Sequence, residues 1–249
     1  MIFDSHVHTV MSCDADTTLQ DAIRTAEEKG VGLVITDHMD WDFPAPFPDF
    51  RVDLMRFFRE YASLRNEQLL LGIELGMTAA STGKCREIAA AYPFDFVLGS
   101  VHLVDGVDVY LEPYWADKSY DEAIRRYLET TLEAVRAHED YDVLGHLTFI
   151  SKCSGNPRKE LLRYEDHKSI MDEILRQLVK GEKGMELNTS GIDRCGGPLP
   201  TLDYFRRFYE LGGRIVTVGS DAHDTARAGQ YTHEMTAELK KIFGYVCTF

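Results

Sequence analysis

The residues able to do chemistry come in a spaced series. In the run Asp4-Ser5-His6-Val7-His8-Thr9, two imidazoles stand two residues apart, so on an extended strand both point to the same side. Such a pair suits a single metal ion, and alone it serves equally well as two strand-end hydrogen bonders. The same residue types then recur in Thr36-Asp37-His38, at Glu74, at His102, in Gly145-His146, in Glu186-Leu187-Asn188 and in Ser220-Asp221-Ala222-His223. Asp221 and His223 repeat the spacing of the first pair. Each of these alone reads as a satisfied polar residue at a strand end. Together they are harder to explain that way, because buried imidazoles and carboxylates are costly unless paired or metal-bound. Imidazole and carboxylate without thiolate suit Zn, Mn or Fe(II). With roughly nine candidate ligands and three to four per ion, two or three divalent ions are implied. The remaining histidines, His138, His167 and His233, lie in charged, helical contexts and read as surface residues.

The elements that must position this series are legible as a rhythm. Apolar, β-branched runs of strand length occupy residues 2–8, 31–38, 69–75, 94–102, 141–147, 184–189 and 214–223, and each ends in a polar residue. Segments of helical composition lie between them, among others 17–30, 53–66, 120–139, 165–181 and 202–212. Near-continuous apolar strands alternating with helices predict an α/β fold with a parallel sheet covered on both faces. Polar residues at the C-terminal ends of all seven strands favour a closed (βα) barrel, where sites assemble at that rim. The competing doubly wound sheet concentrates its site at one switch point.

Composition bounds the function. The 249 residues are 44% apolar and 27% charged, enough for a sizeable core. A net charge of 27 − 41 = −14 disfavours a broad nucleic-acid groove. It permits a phosphorylated small molecule where metals neutralise the phosphate. No run of about 18 apolar residues predicts a membrane span. The first residues lack a basic flank and apolar core, and the five cysteines (Cys13, Cys85, Cys153, Cys195, Cys247) contain no CxxC pair. Reduced thiols in a cytoplasmic protein are therefore expected.

The motifs IFDSHVHT, TDHMD, GIELG, YPFDFVLGSVH, DVLGHL, ELNTSG and GGRIVTVGSDAH, in this order, resemble those of the PHP (polymerase and histidinol phosphatase) family over nearly the whole chain. The Tyr92–Phe96 region and NTSG point to its monofunctional histidinol-phosphate phosphatase branch. The resemblance implies a TIM-like, distorted seven-stranded (βα) barrel over residues 1–249 as one domain, with a trinuclear metal site. It implies that His6, His8, Glu74 and Asp221 hold the first ion. Glu74 bridges to the second, completed by His102 and His146. The third takes His38, His223 and Asp14, a hard oxygen ligand where several relatives have His. Two loops depart from the relatives' pattern: after the GH motif an Arg is common where this chain reads Ser151-Lys152-Cys153, and second after NTSG an Arg is common where Asp193 precedes Arg194. Lys152 and Arg194 are the candidates for the outer phosphate oxygens, with solvated loop charges as the alternative, and Asn188 is a third candidate substrate contact.

The implied reaction is hydrolysis of a phosphomonoester, histidinol phosphate, in histidine biosynthesis. A hydroxide between two ions supplies the nucleophile and the metals clamp the phosphoryl oxygens. Glu74 fixes the metal pair, and Asp221, His223 or His38 assists proton movement. The loop 39–51, rich in Pro and aromatics, is expected to line the pocket through Trp41, Phe43 and Phe47, with Asp40 or Asp42 facing a substrate ammonium. Its alternative is simple packing on the rim. Other small phosphomonoesters or nucleotides, and a non-catalytic metal-stabilised module, are the competing functions.

Overall fold

A computed structural model describes residues 1–44 and 49–247. Its strands are β1 (Phe3–Val7), β2 (Gly32–Ile35), β3 (His38–Met39), β4 (Leu69–Gly76), β5 (Phe96–Ser100), β6 (Leu103–Val104), β7 (Val107–Asp108), β8 (Val143–Leu144), β9 (Gly184–Asn188) and β10 (Val216–Gly219). The helices are α1 (Leu19–Lys29), α2 (Leu54–Tyr61), α3 (Thr82–Ala91), α4 (Glu112–Trp115), α5 (Tyr120–Ala137), α6 (Lys168–Lys180), α7 (Ile192–Cys195), α8 (Leu202–Glu210) and α9 (Thr232–Phe243).

Strand order is β1-β2-β4-β5-β8-β9-β10, all parallel, with β3 continuing beside β4. The ends of this sheet meet: Asp221 N donates to His6 O (2.8 Å) and His8 N to Ala222 O (2.9 Å). The result is the nearly closed seven-stranded barrel that the alternation of strands and helices predicts. Helices are started and stopped by local chemistry. Thr18 accepts from Asp21 N (3.2 Å) at the head of α1, and Gly30 ends it in the left-handed region (φ 66°).

Phe3, Val34, Phe96, Leu98 and Val143 form one apolar cluster. Further along the same alternation, Ser100 at the end of β5 and His102 just beyond it reach Glu74 instead. The expected strand 31–38 is broken at Thr36 and Asp37. The Asp37 carboxylate leaves the ladder to accept Thr9 N (2.7 Å), Thr9 Oγ1 (2.8 Å) and Ser12 Oγ (2.8 Å), fixing the loop after β1. The strand expected over 69–75 runs one residue further, to Gly76, and the remaining ones are trimmed, 141–147 to the two residues of β8. Beyond Gly219, Asp221 adopts a left-handed φ of 56°, turning the chain over the barrel mouth.

Candidate metal centre and the cavity above it

His6 and His8, at the end of β1, bring their Nε2 atoms to 3.0 Å. Glu74 Oε2, projecting from β4, lies 3.4 Å and 3.5 Å from them. Asp221 Oδ1 lies 3.7 Å and 3.5 Å from the same two nitrogens. Donors sharing one tetrahedral ion at about 2.0–2.1 Å stand about 3.3 Å apart, so these four atoms have the spacing of a coordination shell. Glu74 Oε2 and His38 Nδ1, 3.0 Å apart, are both buried without hydrogen-bond geometry to any described residue. Such orphaned polar atoms cost about 1–3 kcal/mol each unless an ion engages them. The residues present therefore fit a metal.

The second Glu74 oxygen serves a second group. His146 Nε2 lies 3.0 Å and His102 Nε2 3.4 Å from Oε1, with 3.5 Å between the two imidazoles. A third group sits further out: Asp14 Oδ2 is 3.1 Å from His223 Nε2 and 3.6 Å from His38 Nε2. The ring of His8 stacks on His38 at 4.3 Å, linking inner and outer groups. All nine ligands expected from the sequence are thus gathered at one mouth of the barrel.

Behind the imidazoles lies a second layer of acceptors. His6 Nδ1 meets Glu186 Oε1 (2.7 Å), His102 Nδ1 meets Asp40 Oδ1 (2.8 Å), and His223 Nδ1 meets Asp221 O (3.0 Å). Engaging Nδ1 fixes the ring and aims the Nε2 lone pair at the site. Glycine makes room for two of these carboxylates. A Cβ on Gly219 would lie 2.2 Å from Glu186 Oε1, and one on Gly76 2.1 Å from Asp40 Oδ1. The sequence marks Glu186 at its strand end but not its role. The available signal was its spacing two before Asn188, which puts it on the inner face.

The charges are strongly coupled. Burial disfavours charge on His102, but the facing Asp40 and Glu74 outweigh it and push its pKa up to about 10. His6 is likewise raised against its burial by Glu186, Glu74 and Asp221, whereas burial and the imidazoles of His223 and His38 hold His8 down. Burial raises Asp37 to about 6 despite its hydrogen bonds from Thr9 and Ser12.

A cavity of about 310 Å³ opens over the donors. His38, His102, His146, Asp221 and His223 form its floor, and Phe43, Phe50, Tyr110 and Phe149 its walls. Lys152 and Arg194 both line it. Lys152 Nζ, nearly buried, donates to Ser190 Oγ (2.7 Å) and to Asp221 Oδ2. Arg194 donates to the Tyr110 hydroxyl (2.7 Å) and forms no ion pair among the described residues.

Several expectations are corrected. Asn188 is fully buried and does not line the cavity; its side chain is spent on Ser190 N (3.1 Å) and Glu186 Oε2 (3.1 Å). Asp40 is committed to His102 and cannot face a substrate. Asp42 points to solvent beside Lys84 (3.5 Å). Trp41 packs on the core under Lys84, away from the cavity, while Phe43 lines it stacked on Phe50 (4.3 Å). Phe47 lies outside the described residues. His138 is buried, not superficial, because its Nε2 bonds to Thr78 O (2.7 Å) between α5 and the loop before α3.

A parallel barrel with paired imidazoles and a bridging carboxylate at its C-terminal mouth, beneath a cavity holding fixed cations, defines a metal-dependent hydrolase. The chain belongs to the PHP domain family, which it matches over residues 4–190. It is 35% identical over 226 residues to a probable histidinol-phosphatase of Clostridium acetobutylicum, covering 90% of this chain and 87% of that one. It is 29% identical to the histidinol-phosphatase of Lactococcus lactis over 99% of this chain and 93% of that one. The fold is similar to a crystal structure of the Lactococcus lactis histidinol phosphate phosphatase with zinc, L-histidinol and phosphate. The TM-score is 0.87 at 27% identity, over 98% of this chain and 95% of that one.

Proposed function

We infer that this protein is a histidinol-phosphatase, hydrolysing histidinol phosphate to histidinol and phosphate with divalent metal ions. The observation that carries this is the Glu74 carboxylate, whose two oxygens serve separate imidazole groups beneath a cavity bearing Lys152 and Arg194. The histidinol-phosphatase names of its relatives, and the zinc, histidinol and phosphate bound to one of them, support the same substrate. His6, His8, Glu74 and Asp221 would hold one ion, Glu74, His102 and His146 a second, and Asp14, His38 and His223 a third. Bound there, divalent ions supply Lewis-acid polarisation of phosphoryl oxygens and acidify water towards a pKa of ~7.

The chain's own groups do the rest. Lys152 and Arg194 hold the outer phosphate oxygens, Arg through its planar fork and Lys as a point charge. Phe43, Phe50 and Phe149 exclude water around the ester, which strengthens those contacts. At the cavity floor Asp221 would hold or move a proton at Oδ2, the oxygen turned to Lys152 rather than to His6 and His8, while the Nε2 atoms of His38 and His223 would be given to the third ion. Elemental analysis of the purified protein alongside a phosphatase panel tests the reading. Metal-dependent turnover selective for histidinol phosphate is expected, and comparable turnover of unrelated phosphomonoesters would overturn the assignment.

A further inference from the structure

The hairpin after β5 places a carboxylate that the reaction described so far does not use. Asp105 and Gly106 take φ of 53° and 76°, the paired positive angles of a tight two-residue turn between β6 and β7. Arg126 from α5 clamps Asp105 (2.7 and 2.9 Å), and Val109 N donates to His102 O (3.1 Å). The strand end is therefore rigid, and it sets Asp108 half-buried in the cavity wall with Oδ1 accepting Tyr110 N (2.8 Å).

Every other carboxylate lining this cavity has a cationic or imidazole partner. Asp14 meets His223 and His38, Asp221 meets Lys152, and Asp224 meets Arg227 (3.2 Å). Asp108 forms no ion pair among the described residues. Burying an anion without a partner is unfavourable, so a cation brought by the ligand is the natural complement. The phosphate end of the cavity is already supplied with Lys152 and Arg194. Arg194 is held by Tyr110, two residues from Asp108, so the cationic and anionic subsites share one strand end. Histidinol phosphate carries an ammonium on the carbon next to its phosphoester carbon, matching such a juxtaposition.

We propose that Asp108 is the specificity residue that receives the substrate's primary ammonium. This rests on the histidinol-phosphatase reading, and it moves to β7 the role expected of Asp40 or Asp42. Asp108→Asn keeps an acceptor for Tyr110 N and removes only the charge. The test is steady-state kinetics of the metal-loaded enzyme on histidinol phosphate and on its des-amino analogue, imidazolylpropyl phosphate, with metal content measured in each variant. Loss of one charge-assisted contact should raise KM for histidinol phosphate and lower kcat/KM by about tenfold to a hundredfold. The des-amino analogue should already be poor for the parent enzyme by a similar factor and should change less than about twofold on substitution. Asp108→Glu should recover part of the loss. Equal losses on both substrates, no loss on either, or a loss that tracks metal content would overturn the proposal. Parent enzyme inactive on histidinol phosphate would overturn the substrate reading and the proposal with it; active parent with an indifferent Asp108→Asn overturns the proposal alone.

Discussion

Glu186→Gln isolates the second layer of the metal centre. Glu186 is fully buried, receives the His6 Nδ1 proton through Oε1 (2.7 Å), and accepts His146 N through Oε2 (2.7 Å). Gln is nearly isosteric, but its two ends are no longer both acceptors. If its oxygen stays on His146 N, its NH₂ faces His6 Nδ1, which must then accept. The ring proton moves to Nε2, where it blocks the lone pair aimed at Glu74 and Asp221. If the amide flips, its NH₂ meets the His146 N–H and leaves a buried donor unsatisfied, at about 1–3 kcal/mol.

Neither orientation satisfies both the His6 Nδ1–H and the His146 backbone N–H. Removing such an outer partner typically weakens metal affinity tenfold to a hundredfold, about 1.4–2.7 kcal/mol. Competition with a chelator of known affinity measures this directly, with circular dichroism reporting the fold. We expect weakened metal binding in a folded protein, with activity restored at high metal concentration. Unchanged affinity and kcat in Glu186→Gln would refute the tautomer argument.

Gly219→Ala should act on the same pair sterically, since its Cβ would lie 2.4 Å from the His6 Cβ as well as against Glu186; overpacking of about 1–3 kcal/mol and metal loss are expected in thermal unfolding and elemental analysis. Lys152→Ala and Arg194→Ala should each lower kcat/KM for histidinol phosphate by about tenfold to a hundredfold at fixed metal content, and values within twofold would place the phosphate clamp elsewhere. Chelation should lower Tm by roughly 5–10 °C, from about 2.7 kcal/mol of linkage at a metal concentration a hundredfold above Kd; an unchanged Tm in metal-free protein would contradict it. Far from the site, Arg207 grips Asp172 with two bonds (2.7 and 2.6 Å) and, against its burial and with help from Tyr164 and Arg176, holds its pKa well below the usual range. That stability is present above the unfolded value of ~3.9 and is lost as pH falls through the folded pKa. Asp172→Asn should therefore destabilise at pH 7 by about 1.5–3 kcal/mol and flatten the acid limb of a pH–stability curve.

The barrel was legible because its strands are apolar runs ending in His, Glu or Asp, residue types that otherwise avoid buried strands. The gathering of His6, His8, Glu74, His102 and His146 followed from that pattern alone. Contacts across the barrel were not legible. Glu186 and Asp40 find their imidazoles only because Gly219 and Gly76 stand opposite, which depends on register between strands distant in sequence. Helix α3 carries little signal in the sequence, because only Cys85 along it is buried and its apolar stripe is weak. Helix α9 begins after Tyr231 in a left-handed conformation (φ 60°) without a side-chain cap, so no start signal marks it. Asp108 was invisible because its importance lies in lacking a partner.

The charge balance at the barrel mouth explains why protonation cannot substitute for metal there. Asp40, Glu74, Glu186 and Asp221 are all at most 7% exposed, and the lysine beside them among the described residues is the nearly buried Lys152. Imidazolium rings would have to supply the remaining positive charge. Yet His6 and His8 face each other Nε2 to Nε2 at 3.0 Å, a distance at which only one of the two can carry a proton. Their pKa values accordingly split, His6 upward under its carboxylates and His8 downward under burial and its imidazole neighbours. One proton therefore brings a single positive charge to a point where a divalent ion brings two and engages both lone pairs at once. The geometry that makes the pair poor at holding protons is the geometry that makes it a metal site.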